Sequence, residues 1–131
     1  MKLRRFISIF LLAFLANLLW EHAHAVLYVH YQGGAISELV LLHATLVDAL
    51  LISGSIFLTR ILPQRLRLPL LSVVLLVIAV GIEWWALATH RWAYTSLMPI
   101  VPLLGVGVSP MVQLVMTAWF TLWLTRKDST L

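Results

Sequence analysis

In a chain this apolar, the residues able to do acid–base chemistry are few. Glu21 and Glu83 each lie inside a long hydrophobic run and each has a tryptophan beside it, as Trp20-Glu21 and Glu83-Trp84-Trp85. An ionisable group at the centre of a membrane helix costs about 2.5–3.5 kcal/mol on insertion scales, so it marks a function or a paired contact. Two carboxylic acids in a low-dielectric pocket repel when both are ionised, so one keeps its proton and the other serves as base. Such a pair can move a proton to or from an apolar molecule, an isoprenoid or a lipid chain. Residues of the right type to orient that molecule are Asn17, His24, His43 and Gln113, with Trp84, Trp85, Trp92 and Tyr94 to line an entrance.

The same residue types fit two other chemistries. Glu21, His24, His43 and Glu83 form a His/carboxylate set of the kind that binds a divalent ion. Glu21-x-x-His24 has the i, i+3 spacing of bundle metal sites, but it occurs once. Alternatively, Asn, Gln, Glu and His only hydrogen-bond across helices and hold a scaffold or assembly subunit together. Other polar residues read more plainly. His22 and His30 suit a solvated interface, His90-Arg91 a headgroup contact, and Glu38 a favourable charge in a first helical turn. Asp48 suits either a proton relay or a bond to Thr45 or a neighbouring helix.

The elements that position these groups follow from hydropathy. The chain has 131 residues, 62% hydrophobic and 11% charged, with a mean hydropathy of +0.99. Four apolar segments, about 6–28, 36–58, 68–89 and 108–124, are each near the ~20 residues that cross a bilayer as helix. Backbone groups cannot stay unpaired in lipid, so the expected fold is an all-α, integral-membrane four-helix bundle in one transmembrane domain. A pI near 10.1 does not indicate nucleic acid, because the basic residues cluster at the ends of apolar runs. There is no cysteine, which excludes disulfides, thiolate catalysis and zinc–thiolate sites.

Charge sets the topology. Lys2, Arg4, Arg5, Arg60, Arg65, Arg67, Arg126 and Lys127 fall on one side of a four-span plan and only Arg91 on the other. The positive-inside rule then puts both termini in the cytoplasm, in an inner (plasma) membrane. The first segment ends in "LLWEHAHAVLY", where Ala23-His24-Ala25 has the small-x-small form of a signal-peptidase site. Three features favour a retained helix. The apolar run continues past the site, Trp20-Glu21-His22 is bulky and charged, and Asn17, Glu21, His24 and Tyr28 fall at i, i+4, i+7 and i+11 on one face.

Similar stripes recur: Glu38, Thr45, Asp48 and Ser55; Ser72, Ala79, Glu83, Ala86 and His90; Gln113 and Thr117. By residue count Glu21, Glu83, His43 and Gln113 lie roughly 8–11 Å below the outer surface at ~1.5 Å per residue, with Asp48 deeper. That layer predicts a polar pocket opening outward. The stretch "YTSLMPIVPLLGVGVSP" is apolar but broken by proline and glycine, which suits a lip over the pocket, a re-entrant segment or a loop on the lipid. Trp20-Glu21 before Tyr28 and Glu83-Trp84 before Tyr94 suggest a two-fold repeat of helix pairs, with Glu21 and Glu83 equivalent.

Glu83-Trp-Trp, Arg91-Trp-Ala-Tyr94 and Gly107-Val-Ser-Pro110-Met-Val-Gln113 weakly resemble the lycopene cyclase domain of carotenoid-synthesising organisms. The resemblance covers about a quarter of the chain. It implies a small helical membrane domain that protonates a polyene, with Glu83 in the Trp-acid pair. Gln113 stands where that pattern carries an acid. By overall plan the chain is equally similar to small four-span bacterial membrane proteins. The expected function is an outward-opening pocket that binds or transforms a lipid-like or isoprenoid molecule, with membrane lipids as surroundings and a homo-oligomer compatible with so few spans. Cofactor, metal and reaction are left open.

Overall fold

A computed structural model of the chain describes residues 3–127. Lys2, counted above with the basic residues, lies outside them, as does the side chain of Lys127. The chain is mostly helical. Helix α1 spans Leu3–His24 and runs into a 3₁₀ turn, Ala25–Leu27; α2 spans Glu38–Thr59, α3 Gln64–Ala88 and α4 Val108–Lys127. All four are long and apolar enough to cross a membrane.

Each helix buries one narrow stripe. On α1 it is Ile9, Ala13, Asn17, Glu21 and His24, and on α3 it is Leu71, Leu75, Ala79, Glu83 and Ala86. Both follow the i, i+4 row of one helical face. Every member of the second stripe stands 62 positions after its counterpart in the first (71 and 9, 83 and 21, 86 and 24). This supports the equivalence of Glu21 and Glu83 suggested by the sequence. On α2 and α4 the buried set mixes small and polar residues, Thr45, Ala49 and Ser53 on one and Gln113, Thr117, Ala118 and Thr121 on the other, with the larger Leu41, Ile52, Ile56 and Leu114. Small side chains let helix backbones approach closely. Many other large apolar residues turn outward, among them Leu11, Leu15, Leu19, Leu50 and Val77. A water-soluble bundle has the opposite distribution.

Boundaries differ from the hydropathy reading where local chemistry competes with it. Helix α3 begins at Gln64 rather than at 68, so Arg65 and Arg67 lie in its first turn and the connection after α2 is short. Pro69 lies in the second turn, where it forfeits the bond to the Arg65 carbonyl without ending the helix. Pro63 precedes α3 in an extended conformation and sets its entry. At the start of α2 the Ser37 hydroxyl accepts from the Val40 N–H (3.4 Å), an N-cap.

The all-α expectation needs one correction. The connections at the glutamate-bearing end contain four short strands: β1 (Tyr28–Tyr31), β2 (Trp92–Tyr94), β3 (Ile100–Val101) and β4 (Val106–Gly107). β1 and β2 pair antiparallel, with Tyr28 opposite Tyr94 and Tyr31 opposite Trp92. β3 and β4 form a hairpin, Ile100 opposite Gly107. Aromatic and β-branched residues favour such pairing, and it satisfies backbone groups that leave the helices. The "YTSLMPIVPLLGVGVSP" stretch therefore contains this hairpin, between the end of β2 and the start of α4. At its turn Leu103 and Gly105 have positive φ (72° and 68°). Met98 is buried against Gly107, where a Cβ would meet its Sδ at 2.6 Å.

Candidate functional site

α1 and α3 end, and α2 and α4 begin, at the same end of the bundle, and a cavity of about 360 Å³ lies among them there. Its most buried polar wall is centred on Gln113. The Gln113 Nε2 lies 2.7 Å from Glu21 Oε1, 2.9 Å from Asp48 Oδ2 and 3.1 Å from Asn17 Oδ1. An amide nitrogen carries two hydrogens, so three acceptors share them and no donor capacity is left over. Asn17 is turned to this use because its own Nδ2 donates to the Ala13 carbonyl (2.8 Å). Thr117 donates to the Gln113 carbonyl (2.8 Å). α1, α2 and α4 are thereby joined through one side chain.

Glu21 has a second partner. Its Oε2 lies 3.3 Å from His24 Nε2, and His24 Nδ1 lies 2.9 Å from Ser109 Oγ. Ser109 Oγ also accepts from the Trp20 indole N–H (3.1 Å). In one arrangement that fits these distances Ser109 donates to Nδ1 and the Nε2–H of His24 donates to Glu21. The chain Trp20, Ser109, His24, Glu21 is then polarised in one direction, and it fixes the ring against Tyr28, whose centroid is 5.3 Å away edge-on.

Glu83 is held separately. Its Oε2 accepts from Trp92 Nε1 (3.2 Å) and from the Tyr94 hydroxyl, and Tyr94 accepts from the Gly107 N–H (3.1 Å). The β1–β2 ladder thus carries the donors for one acid, and the β3–β4 hairpin braces them. Burial pushes the Tyr28 phenol well above its ordinary range, and burial together with the bond to Glu83 does the same for Tyr94. Both therefore stay neutral, and Tyr94 remains a donor to Glu83. Tyr28 packs edge to face against both Trp92 and Tyr94, and Tyr31 stacks on Trp92.

Of the residues singled out from sequence, Glu21, Glu83, His24, His43, Gln113, Trp85 and Trp92 line this cavity. Asn17 and Tyr94 lie behind Gln113 and Glu83 and reach the cavity through them. Trp84 does not belong to the entrance. It is half exposed and donates to the Leu104 carbonyl (2.8 Å), so it ties the hairpin to α3. His43 is exposed at the rim rather than buried with the acids. The metal reading lacks a ligand set: among the described residues no three His, Asp or Glu side chains converge to hold an ion. Both nitrogens of His24 are already engaged.

Sequence reasoning left Asp48, Ser109 and Tyr28 out of the site. Asp48 lines the cavity and meets the Gln113 amide. Its stripe with Thr45 was visible, but its partner was not. Arg91, assigned to a headgroup contact, also lines the cavity, with its guanidinium 4.3 Å from the centre of the Trp85 ring.

Fold and site define a class: four membrane-length helices, with carboxylic acids gathered at one end under a short β roof. No family model, no curated protein and no solved structure matches the chain. The functional reading therefore rests on the residues themselves.

Proposed function

We propose that the chain is a four-span protein of the inner (plasma) membrane. On this reading both termini are cytoplasmic and the cavity opens toward the outer face, where it binds or transforms a lipid-like or isoprenoid molecule. The outward-facing leucines and valines, and the small and polar residues among those buried between helices, support residence in lipid. Arg4, Arg5, Arg60, Arg65, Arg67 and Arg126 lie at the ends of the helices away from the cavity, and among the described residues only Arg91 lies beside it. That asymmetry supports the orientation.

The observation that carries the functional reading is the cavity itself. It brings Glu21, Asp48 and Glu83 together inside a wall that is otherwise mainly aliphatic and aromatic. Each acid is held by donors from other helices or strands, so their positions are set before any ligand arrives. Glu21 and Glu83 serve as the acid–base pair, His24 and Gln113 orient Glu21, and Trp92 and Tyr94 orient Glu83. The lycopene-cyclase-like pattern over residues 83–113 agrees in kind with protonation of an apolar chain. Gln113, where that pattern has an acid, acts here as the donor that holds two acids.

A second reading is favoured by one specific feature. The bonds from Gln113 and Thr117 to Asn17 join α4 to α1 directly, as in a scaffold or assembly subunit whose polar groups serve only packing. Glu83→Gln separates the two. The test isolates the molecule that copurifies with the full-length protein, returns it to wild-type and variant protein in vesicles, and follows its conversion. The proposal expects the variant to stay folded and bind while conversion stops. Conversion that survives in both Glu83→Gln and Glu21→Gln would overturn the acid–base roles of these residues, and no conversion by wild-type protein would leave the scaffold reading.

A further inference from the structure

The position of the cavity mouth restricts what can enter. Among the described lining residues only three are exposed: His43 and Val47 on α2 and Trp85 on α3. None lies on a strand or a connection. The end of the bundle is covered instead by β1 and β2, whose lining residues His30, Tyr31 and Trp92 are half buried and interlocked by the Tyr31–Trp92 stack. Val47 is nine residues into α2 from Glu38, and Trp85 is three residues before the end of α3. At ~1.5 Å per residue the mouth therefore lies roughly 5–13 Å below the helix ends, on the flank of the bundle. Leu46, Leu50 and Val77 on the same two helices are large, apolar and exposed.

Size gives a second restriction. A cavity of about 360 Å³ is near the lower end of the ~300–1,000 Å³ range of small-molecule pockets, so it holds a head group or one chain end and not a whole lipid.

Resting on the membrane reading above, we propose that the cavity opens sideways between α2 and α3. It admits one end of a long-chain amphiphile directly from the outer leaflet, while the remaining chain stays in the bilayer. Val47 and Trp85 form the two sides of this portal, and His43 stands one turn above Val47 on the α2 side. The substrate class is then a molecule that never leaves the membrane, which removes the need for an aqueous entrance through the β roof.

The test uses full-length protein in phosphatidylcholine vesicles and hexadecanol carrying a photoreactive diazirine beside its hydroxyl. Labelled residues are mapped by peptide mass spectrometry. Wild-type protein should be labelled at cavity residues such as Glu83, Ile82 and Ala79. Val47→Trp should lower that labelling by roughly tenfold, because occupancy depends exponentially on the free energy of entry. Leu50→Trp places the same indole one turn away on an exposed position outside the lining and should leave labelling unchanged. Val47→Ala, which adds no bulk, keeps the test valid if the tryptophan variant fails to fold. It should match or exceed wild type. Cavity labelling that is insensitive to Val47→Trp would overturn the portal and leave the pocket reading standing. No cavity labelling in wild type would remove the lipid-ligand reading as well.

Discussion

Gln113→Leu tests the polar core most sharply. The substitution keeps the volume and apolar packing of the side chain but removes the one amide that faces Glu21, Asp48 and Asn17 together. A buried hydrogen bond to a charged group contributes about 1.5–3 kcal/mol, and an acceptor left unpaired costs a similar amount. Interhelical bonds measured within membranes are weaker, averaging about 0.6 kcal/mol and reaching about 1.7, because unfolded helices in lipid find other partners. Two hydrogens shared among three acceptors therefore put the loss at about 2–4 kcal/mol. The assay is unfolding of the full-length chain by SDS in mixed micelles, followed by far-UV circular dichroism. Asn17→Leu should cost less than Gln113→Leu, since it removes one shared acceptor and leaves Gln113 its two carboxyl partners. In a double-mutant cycle the two should be non-additive by more than about 0.5 kcal/mol, the level seen for independent sites. A Gln113→Leu midpoint within about 0.5 kcal/mol of wild type would refute the reasoning, because it would mean that these oxygens have other partners.

Four further outcomes follow from the fold and site. Tyr94→Phe deletes a donor to Glu83 and an acceptor for the Gly107 N–H, and it should lower stability by about 1–3 kcal/mol in the same unfolding assay. Gly107→Ala should destabilise by about 1–3 kcal/mol through the contact with Met98, and Met98→Ala in the same chain should recover part of it; additive losses would contradict the close approach. Leu103→Asn should stabilise slightly, by roughly 0.5–1 kcal/mol, since Leu103 is fully exposed at φ 72° and asparagine tolerates that backbone. The chain has three tyrosines, and alkaline titration of phenolate absorbance in detergent should fall short of three until the protein unfolds, because Tyr28 and Tyr94 are both held above the ordinary range. The sign is that of an acid whose folded form holds its proton more tightly. The stability it contributes is complete below the unfolded tyrosine value near 10 and declines as pH rises above it. Full titration of all three near pH 10 in folded protein would contradict the buried placement.

The helices were legible because a bilayer-length apolar run has few alternatives. Their inner faces were legible because Glu21 and Glu83 fall on the same rows as Asn17 and Ala79, which bury small or polar side chains. The Glu21–His24 contact could be read from spacing, since i, i+3 side chains meet on any helix. The pairing of Tyr28–Tyr31 with Trp92–Tyr94 could not be read, because it joins segments about sixty residues apart and is decided by where the two helix ends meet. Trp84 and Trp85 show the same limit at one position. Adjacent residues on a helix point about 100° apart, and only packing decides that Trp85 borders the cavity while Trp84 bonds to Leu104. Asp48 was visible as a costly buried acid. Its union with Glu21 through Gln113 depends on the relative heights of three helices, which hydropathy does not encode.

The central claim is that the first helix, with Glu21 and His24, is part of a lipid-binding pocket in the working protein. Native mass spectrometry of the protein extracted from its own membranes tests it most directly. The account predicts a chain that retains residues 1–25 and carries an additional mass of hundreds of daltons, released by organic solvent and lost in Val47→Trp. A chain lacking residues 1–25 would contradict it, because Glu21 and His24 would be absent. A complete chain that never carries more than its own mass would contradict it equally.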